Sequence, residues 1–278
     1  MKRETLSALI FLATIALITV PLMLLTSAAN TDDVAITASV QNVGPTISWV
    51  QDGSNADPAA GTTKEIQIRF NATDPNGADD FNDATAEVNI TNGGTTLSSH
   101  TCAAAELSGS MESWLCNITI NYYNTPGTWD ITAFIADGAD QTSTNTTSDF
   151  TINNLDDVAV TEPSMSFTGT PGQTNVGASQ NPIEVANTGN QNYVTVGVTA
   201  HDLSGGGDTI PATAFAVNIS NSADGQALAD ASPVVVTGST LNRGSGSTRD
   251  LYFFLDVPSG IANTSYTSTD WTFDPNTS

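Results

Sequence analysis

The chain has 278 residues, with 29 Asp and Glu against 6 Lys and Arg, for a net charge of −23. So acidic a protein repels nucleic acid, whose binding needs basic side chains that displace phosphate counterions; it stays soluble and attracts cations instead. Charged residues make up only 13% of the chain, and the abundant uncharged Thr, Ser, Asn and Gly suit exposed strand faces and turns.

The chain opens with the basic head Met1-Lys2-Arg3-Glu4 and runs through apolar residues from Leu6 to Leu25 before the small residues Ser27 and Ala29. That order predicts a secretory signal cut after Ala29, which places the protein outside the cell or on its surface. The alternative is an uncleaved anchor, because about 20 apolar residues can cross a bilayer; the membrane would then be met only through this segment. A pilin-type leader fits less well, since Arg3 is followed by Glu4-Thr5-Leu6. Cleavage leaves Lys64, Arg69, Arg243 and Arg249 as the fixed cations.

Residues 30–43 follow as a strand segment in which Thr31 to Val40 alternates in polarity. The expectation is that it folds back as the first strand of the next module. The alternative is that it completes a sandwich in a neighbouring subunit, as donated strands do.

Residues 44–154 read as the first module. Strands are predicted over Thr46 to Val50, Glu65 to Ala72, Ala84 to Thr91, Thr95 to Cys102, Trp114 to Tyr122, Thr128 to Ala136 and Ser148 to Ile152, with Val34 to Ser39 ahead of them. Ile66, Ile68 and Phe70 fall on one face, as do Ile131, Ala133 and Ile135, and Asn92-Gly93-Gly94 is a hairpin signal. Cys102 and Cys116 are the two cysteines. An even pair outside the cytoplasm is expected to form a disulfide; a free core pair is the alternative, and zinc would need further Cys or His ligands.

The polar run Asn153-Asn154-Leu155-Asp156-Asp157 marks a boundary, and residues 155–278 read as a second module. Its predicted strands start at Val158 to Val160 and continue through Pro182 to Ala186, Tyr193 to Ala200, Ala214 to Ile219, Pro233 to Thr237, Asp250 to Val257 and Tyr266 to Phe273. Ser204-Gly205-Gly206-Gly207 and Arg243-Gly244-Ser245-Gly246-Ser247 read as long loops, and the last residues, Trp271 to Ser278, show no apolar span or sorting signal.

Phe70-Asn71-Ala72-Thr73-Asp74-Pro75-Asn76-Gly77 and Pro126-Gly127-Thr128-Trp129-Asp130-Ile131 resemble the immunoglobulin-like and PKD-like modules of archaeal and bacterial surface proteins. Pro171-Gly172, Ile183 to Asn190, Asp202-Leu203, Ile210-Pro211 and Val257 to Ile261 resemble a looser family of surface sandwiches. The resemblance implies an all-β chain of two tandem immunoglobulin-like β-sandwich domains after the N-terminal hydrophobic signal segment, with a cell-surface role and no particular reaction.

In an immunoglobulin topology the loop carrying Asp74, Asn76, Asp79, Asp80 and Asp83 joins strands B and C, and the one carrying Asp137 and Asp140 joins F and G. Both leave the sandwich at one end, so their hard oxygen ligands suit Ca2+ as the one cofactor considered. The competing reading is solvated turn residues, which use the same Asp, Asn and Gly. N-glycosylation sequons stand at Asn71, Asn89, Asn117, Asn145, Asn218, Asn263 and Asn276, a number that a chain this rich in Asn, Ser and Thr reaches by chance.

His100 and His201 fall in different modules without a partner at triad spacing, and Arg243-Gly244-Ser245-Gly246 departs from the nucleophile elbow. The expectation is therefore a structural protein rather than an enzyme. It would be a filament or surface-layer subunit that self-assembles by strand donation, or alternatively a calcium-dependent adhesin that binds glycan or a partner. Trp114, Trp129, Tyr122, Tyr123 and Trp271 could line a sugar platform or pack in the core, and the core is the expectation.

Overall fold

Alternation of apolar and polar residues organises the first half of the chain into paired sheets. The computed structural model describes residues 35–276 except Gly53, Pro163, Tyr193 and Asp270. The leader and its cleavage site lie outside the described residues. Among these residues the fold is all-β, with short 3-10 turns at Ala78–Asp80, Asp83–Thr85 and Ala212–Ala214 and no helix long and apolar enough to cross a membrane.

The strands of the first half are β1 (Thr46–Val50), β2 (Thr63–Thr73), β3 (Glu87–Asn92), β4 (Thr95–Ser98), β5 (Thr101–Ser108), β6 (Met111–Asn121), β7 (Gly127–Ala136) and β8 (Thr142–Ile152). One sheet has the order β1-β2-β6-β5 and the other β4-β3-β7-β8, all antiparallel neighbours. With β1 to β8 as strands A, B, C, C′, D, E, F and G, these are the A-B-E-D and C′-C-F-G sheets of an immunoglobulin sandwich. Ala56, beyond β1, bridges Ile152 of β8 in parallel, so the first strand crosses from one sheet to the other.

The inward positions of β2 (Ile68, Phe70, Ala72), β6 (Trp114, Cys116, Ile118, Ile120) and β7 (Trp129, Ile131, Ala133, Ile135) share one buried cluster. Trp114 stacks on Phe70 and meets Phe81 edge-on, with ring centroids 5.0 and 4.9 Å apart. Its Nε1 donates to Asp83 Oδ1 at 3.1 Å, which satisfies the one polar atom that burial of an indole would otherwise leave unmatched. The disulfide between Cys102 and Cys116 forms as expected, and it joins register partners on β5 and β6 within one sheet.

The second half contains β9 (Val158–Val160), β10 (Val176–Gly177), β11 (Ile183–Asn187), β12 (Thr195–Thr199), β13 (Leu203–Gly205), β14 (Asp208–Ile210), β15 (Phe215–Asn218), β16 (Gln226–Ala227), β17 (Val234–Val235), β18 (Thr248–Leu255) and β19 (Thr272–Asn276). The sheet β16-β15-β18-β11-β9 and the smaller sheet β17-β12-β19 share a second, separate apolar cluster. The polar run after β8 is stitched to the turn after β11: Leu155 N donates to Asn190 Oδ1 and Asn190 Nδ2 to the Asn153 carbonyl, both at 2.8 Å. Gly189 is required there, since a Cβ would lie 2.2 Å from the Leu155 carbonyl oxygen.

Several sequence expectations are corrected. Residues 35–45 form no strand where one was expected over Val34 to Ser39, of which Val34 lies outside the described residues. The large residues of that alternation, Ile36 and Val40, stay exposed, and a strand without a paired neighbour is not stable by itself. Thr95 to Cys102 is two strands, not one: the chain leaves one sheet after Ser98 and joins the other at Thr101. Ala84 to Glu87 begins with the turn Asp83–Thr85, which carries the chain across. The supposed loop at Ser204–Gly207 is instead the tip of the β13–β14 hairpin, where Gly206 and Gly207 take positive φ values of 60° and 91°, as a primed turn requires. Of Tyr266 to Phe273 only the end is strand.

Candidate metal centre

Asp74 leaves the end of β2 and Asp137 the end of β7, and both are 0% exposed. The loops after those strands meet at one end of the sandwich, where Phe81 bridges Asp137 and the Gly138 N–H donates to the Asp80 carbonyl at 2.7 Å. Asp74 Oδ1 accepts the Asn76 N–H at 2.7 Å, an Asx turn that fixes its carboxylate at the mouth of the loop. Gly77 continues the turn at φ 113° and leads into Ala78–Asp80.

One oxygen from each of Asp74, Asp80 and Asp137 lies within 4.8 Å of the others. Their hydrogen bonding is unequal. Asp137 is well provided: Oδ1 accepts from Ala139 N (2.9 Å) and Gln141 N (2.8 Å), and Oδ2 from Asn42 Nδ2 (2.7 Å). Asp74 Oδ2 and Asp80 Oδ2 are buried with no donor at all. A buried acceptor without a partner costs the whole of its desolvation, and three carboxylates gathered this closely add mutual repulsion.

The titration behaviour follows. Burial, then the charges of Asp74 and Asp137, push the Asp80 carboxyl above its ordinary value. Burial pushes Asp137 up as well, but the bonds from Asn42, Gln141 and Ala139 outweigh it and hold that carboxyl below its ordinary value.

The set suits a hard cation. Three carboxylates supply part of the 6 to 8 oxygens that Ca2+ takes, with backbone carbonyls and water able to complete the shell, and a site without Cys or His among its ligands disfavours zinc. The structure brings together three of the sequence candidates and separates the rest. Asp79 and Asp140 point to solvent, Asp83 holds Trp114, and Asn76 Oδ1 accepts the Val43 N–H at 2.9 Å.

Two participants escaped the sequence reading. Asn42, which supports Asp137 across 95 positions of sequence, carries no local signal. Glu112 did carry one, a charged residue in the inward period of Trp114 and Cys116. It is 3% exposed, and burial followed by the charges of Asp83 and Asp79 raises its carboxyl.

The other candidates are spread over both halves of the chain. Trp114 and Trp129 are 0% exposed, so they form no sugar platform; Trp129 Nε1 donates to the Thr125 carbonyl at 2.8 Å. Tyr122 and Tyr123 pack edge to face. Trp271 walls an open groove of about 510 Å³ with Met165, Phe167 and Tyr266, and its Nε1 is committed to the His201 carbonyl. His100 pairs with Glu65 at 3.2 Å and His201 with Asp230 at 3.7 Å. Among the sequons, Asn263 is exposed, whereas Asn71, Asn89, Asn117, Asn145, Asn218 and Asn276 are half-buried. Asn218 and Asn276 also donate their amide nitrogens to Ser222 and Thr195.

No family model matches the chain, which leaves the PKD-like resemblance without support beyond the strand order. No curated protein matches it either. Among solved structures it is similar to a chain of a chaperone–tip adhesin complex of CFA/I fimbriae, at 14% identity and a TM-score of 0.31, over 80% of this chain and 78% of that one. It is also similar to the secreted serine protease VesC from Vibrio cholerae, at 13% identity and a TM-score of 0.20, over 82% of this chain and 50% of that one. Likenesses this distant assign nothing.

Proposed function

We propose that this chain is an extracytoplasmic structural protein of the cell surface that holds a calcium ion between Asp74, Asp80 and Asp137. The observation that supports it is the pair of buried, donorless oxygens, Asp74 Oδ2 and Asp80 Oδ2, on two carboxylates that cluster with Asp137. A divalent cation supplies the missing partner to both and cancels the repulsion that the ion-free loops carry. Export is supported by the signal-like leader and the Cys102–Cys116 disulfide, a bond that persists in oxidising compartments. The ion's work in this reading is stabilisation, with no reaction assigned.

Thermal unfolding at pH 7 with calcium and with chelator tests it. At a calcium concentration about 100-fold above Kd the folded state gains about 2.7 kcal/mol, and each kcal/mol raises Tm by roughly 2–4 °C in a protein of this size class. Asp74→Asn abolishes the shift. A wild-type Tm indifferent to calcium overturns the reading.

A second reading concerns assembly. Residues 35–41 form no strand, and Ile36 and Val40 are 88% and 91% exposed, so this alternating segment offers a strand to the sheet of a second copy. Deleting Asn30 to Val40 should abolish filaments seen by electron microscopy while leaving the melting of the sandwiches unchanged. Full-length protein that never polymerises, or a deletion that unfolds the isolated protein, sinks the idea.

A further inference from the structure

Asn42 and Val43 stand just ahead of β1 and are tied to both loops of the cage. Asn42 Nδ2 donates to Asp137 Oδ2 in the loop after β7, at 2.7 Å. Val43 N donates to Asn76 Oδ1 in the loop after β2, at 2.9 Å. Gly44 lies so close to the first loop that a Cβ there would meet the Gln141 Cβ at 2.9 Å, and Ile47 N donates to Ser143 Oγ at 3.0 Å. Asp137 therefore serves three purposes: it is a wall of the cage, it pins its own loop through Ala139 and Gln141, and it anchors Asn42.

We propose that Asn42 is a positioning residue of the calcium site, and that occupancy of the site clasps Asn42–Ile47 to the sandwich. The inference rests on the calcium reading above. The two anchors belong to different loops, so Asn42 and Val43 are both satisfied only when those loops keep their present spacing. Three facing carboxylates push the loops apart; an ion among them draws them together and holds both anchors in place. Coupling of this kind is reciprocal, so the clasp tightens calcium by the same factor by which calcium tightens the clasp.

The test uses the full chain, with terbium luminescence and calcium competition to report binding and hydrogen exchange at the Val43 and Ile47 amides to report the clasp. Calcium should slow exchange at both amides in the wild type by about 5-fold or more, the lower end of ordinary coupling. Asn42→Ala should still bind terbium, with affinity lowered by about 5-fold or more, and should lose the calcium effect on Val43. Asn76→Ala, which removes the Val43 acceptor and leaves Asn42 intact, should lose the same effect and serves should Asn42→Ala fail to fold. Wild-type protein that binds the metal while Val43 exchange stays unchanged overturns the clasp and leaves the calcium site standing. Failure to bind the metal overturns the calcium reading itself.

Discussion

The two sandwiches are secured by different means. In the first, β2, β6 and β8 each run 11 residues, and β2 pairs with β6 without a break from Thr63↔Asn121 to Thr73↔Met111. In the second, β18 is the longest strand at 8 residues, and side chains take over where the ladder stops. Asn187 Nδ2 donates to the Gln191 and Asn242 carbonyls while its Oδ1 accepts the Gly189 N–H. Asn181 exchanges two bonds with the backbone of Phe253, and Ser239 links Val196 to Val236. Buried backbone must be paired somehow, and short strands leave much of that work to Asn and Ser. In the first sandwich the long ladder pairs most of the backbone itself, and Asp74 Oδ2 and Asp80 Oδ2 are among the buried oxygens left without a donor.

The largest expected effect comes from removing the centre of the first core. Trp114→Ala deletes a ring held between Phe70 and Phe81 and should cost about 3–5 kcal/mol, read as an earlier urea midpoint for the first sandwich. In the second sandwich the matching weak point is polar. Asn187→Ala removes no large apolar volume but strands the groups it bonded, at about 1–3 kcal/mol for a buried unsatisfied group. A loss within about 0.5 kcal/mol of zero, the usual range for surface substitutions, would show that the second sandwich does not depend on its side-chain ties.

The same contrast explains what was legible in the sequence. Strict alternation wrote out β2 and β7, because β7 buries one face from Trp129 onward and β2 does so from Ile68 to Ala72. The acidic loop was legible as a loop, but not which aspartates turn inward: Asp74 and Asp137 close their strands and stay in the core, while Asp79 and Asp140 differ only in pointing outward. Asn42 was illegible because its partner is 95 positions away. The β13–β14 hairpin was misread because its strands are three residues each, too short for periodicity, and its glycines look like any flexible loop until their positive φ values are known.

The smallest expected effect is a pH dependence confined to the first sandwich. Without ion, folded Asp80 and Glu112 hold protons more tightly than the unfolded chain does, their ordinary values being 3.8 and 4.5. Their contribution is therefore greatest below those ordinary values and is lost as pH rises through the raised ones. Asp137, held below its ordinary 3.8, contributes fully above that value and loses its contribution as pH falls through the lowered one. On the calcium proposal the Asp80 slope should reverse with the ion present, because the ion would bind the ionised carboxylate and protons would compete with it. Melting curves from about pH 4 to 7 should thus fall with rising pH under chelator, relative to Asp80→Asn, and rise with calcium present. Parallel curves for the two proteins under chelator would mean that the cage carries no strain of its own, and that its oxygens are matched in solution by something other than an ion.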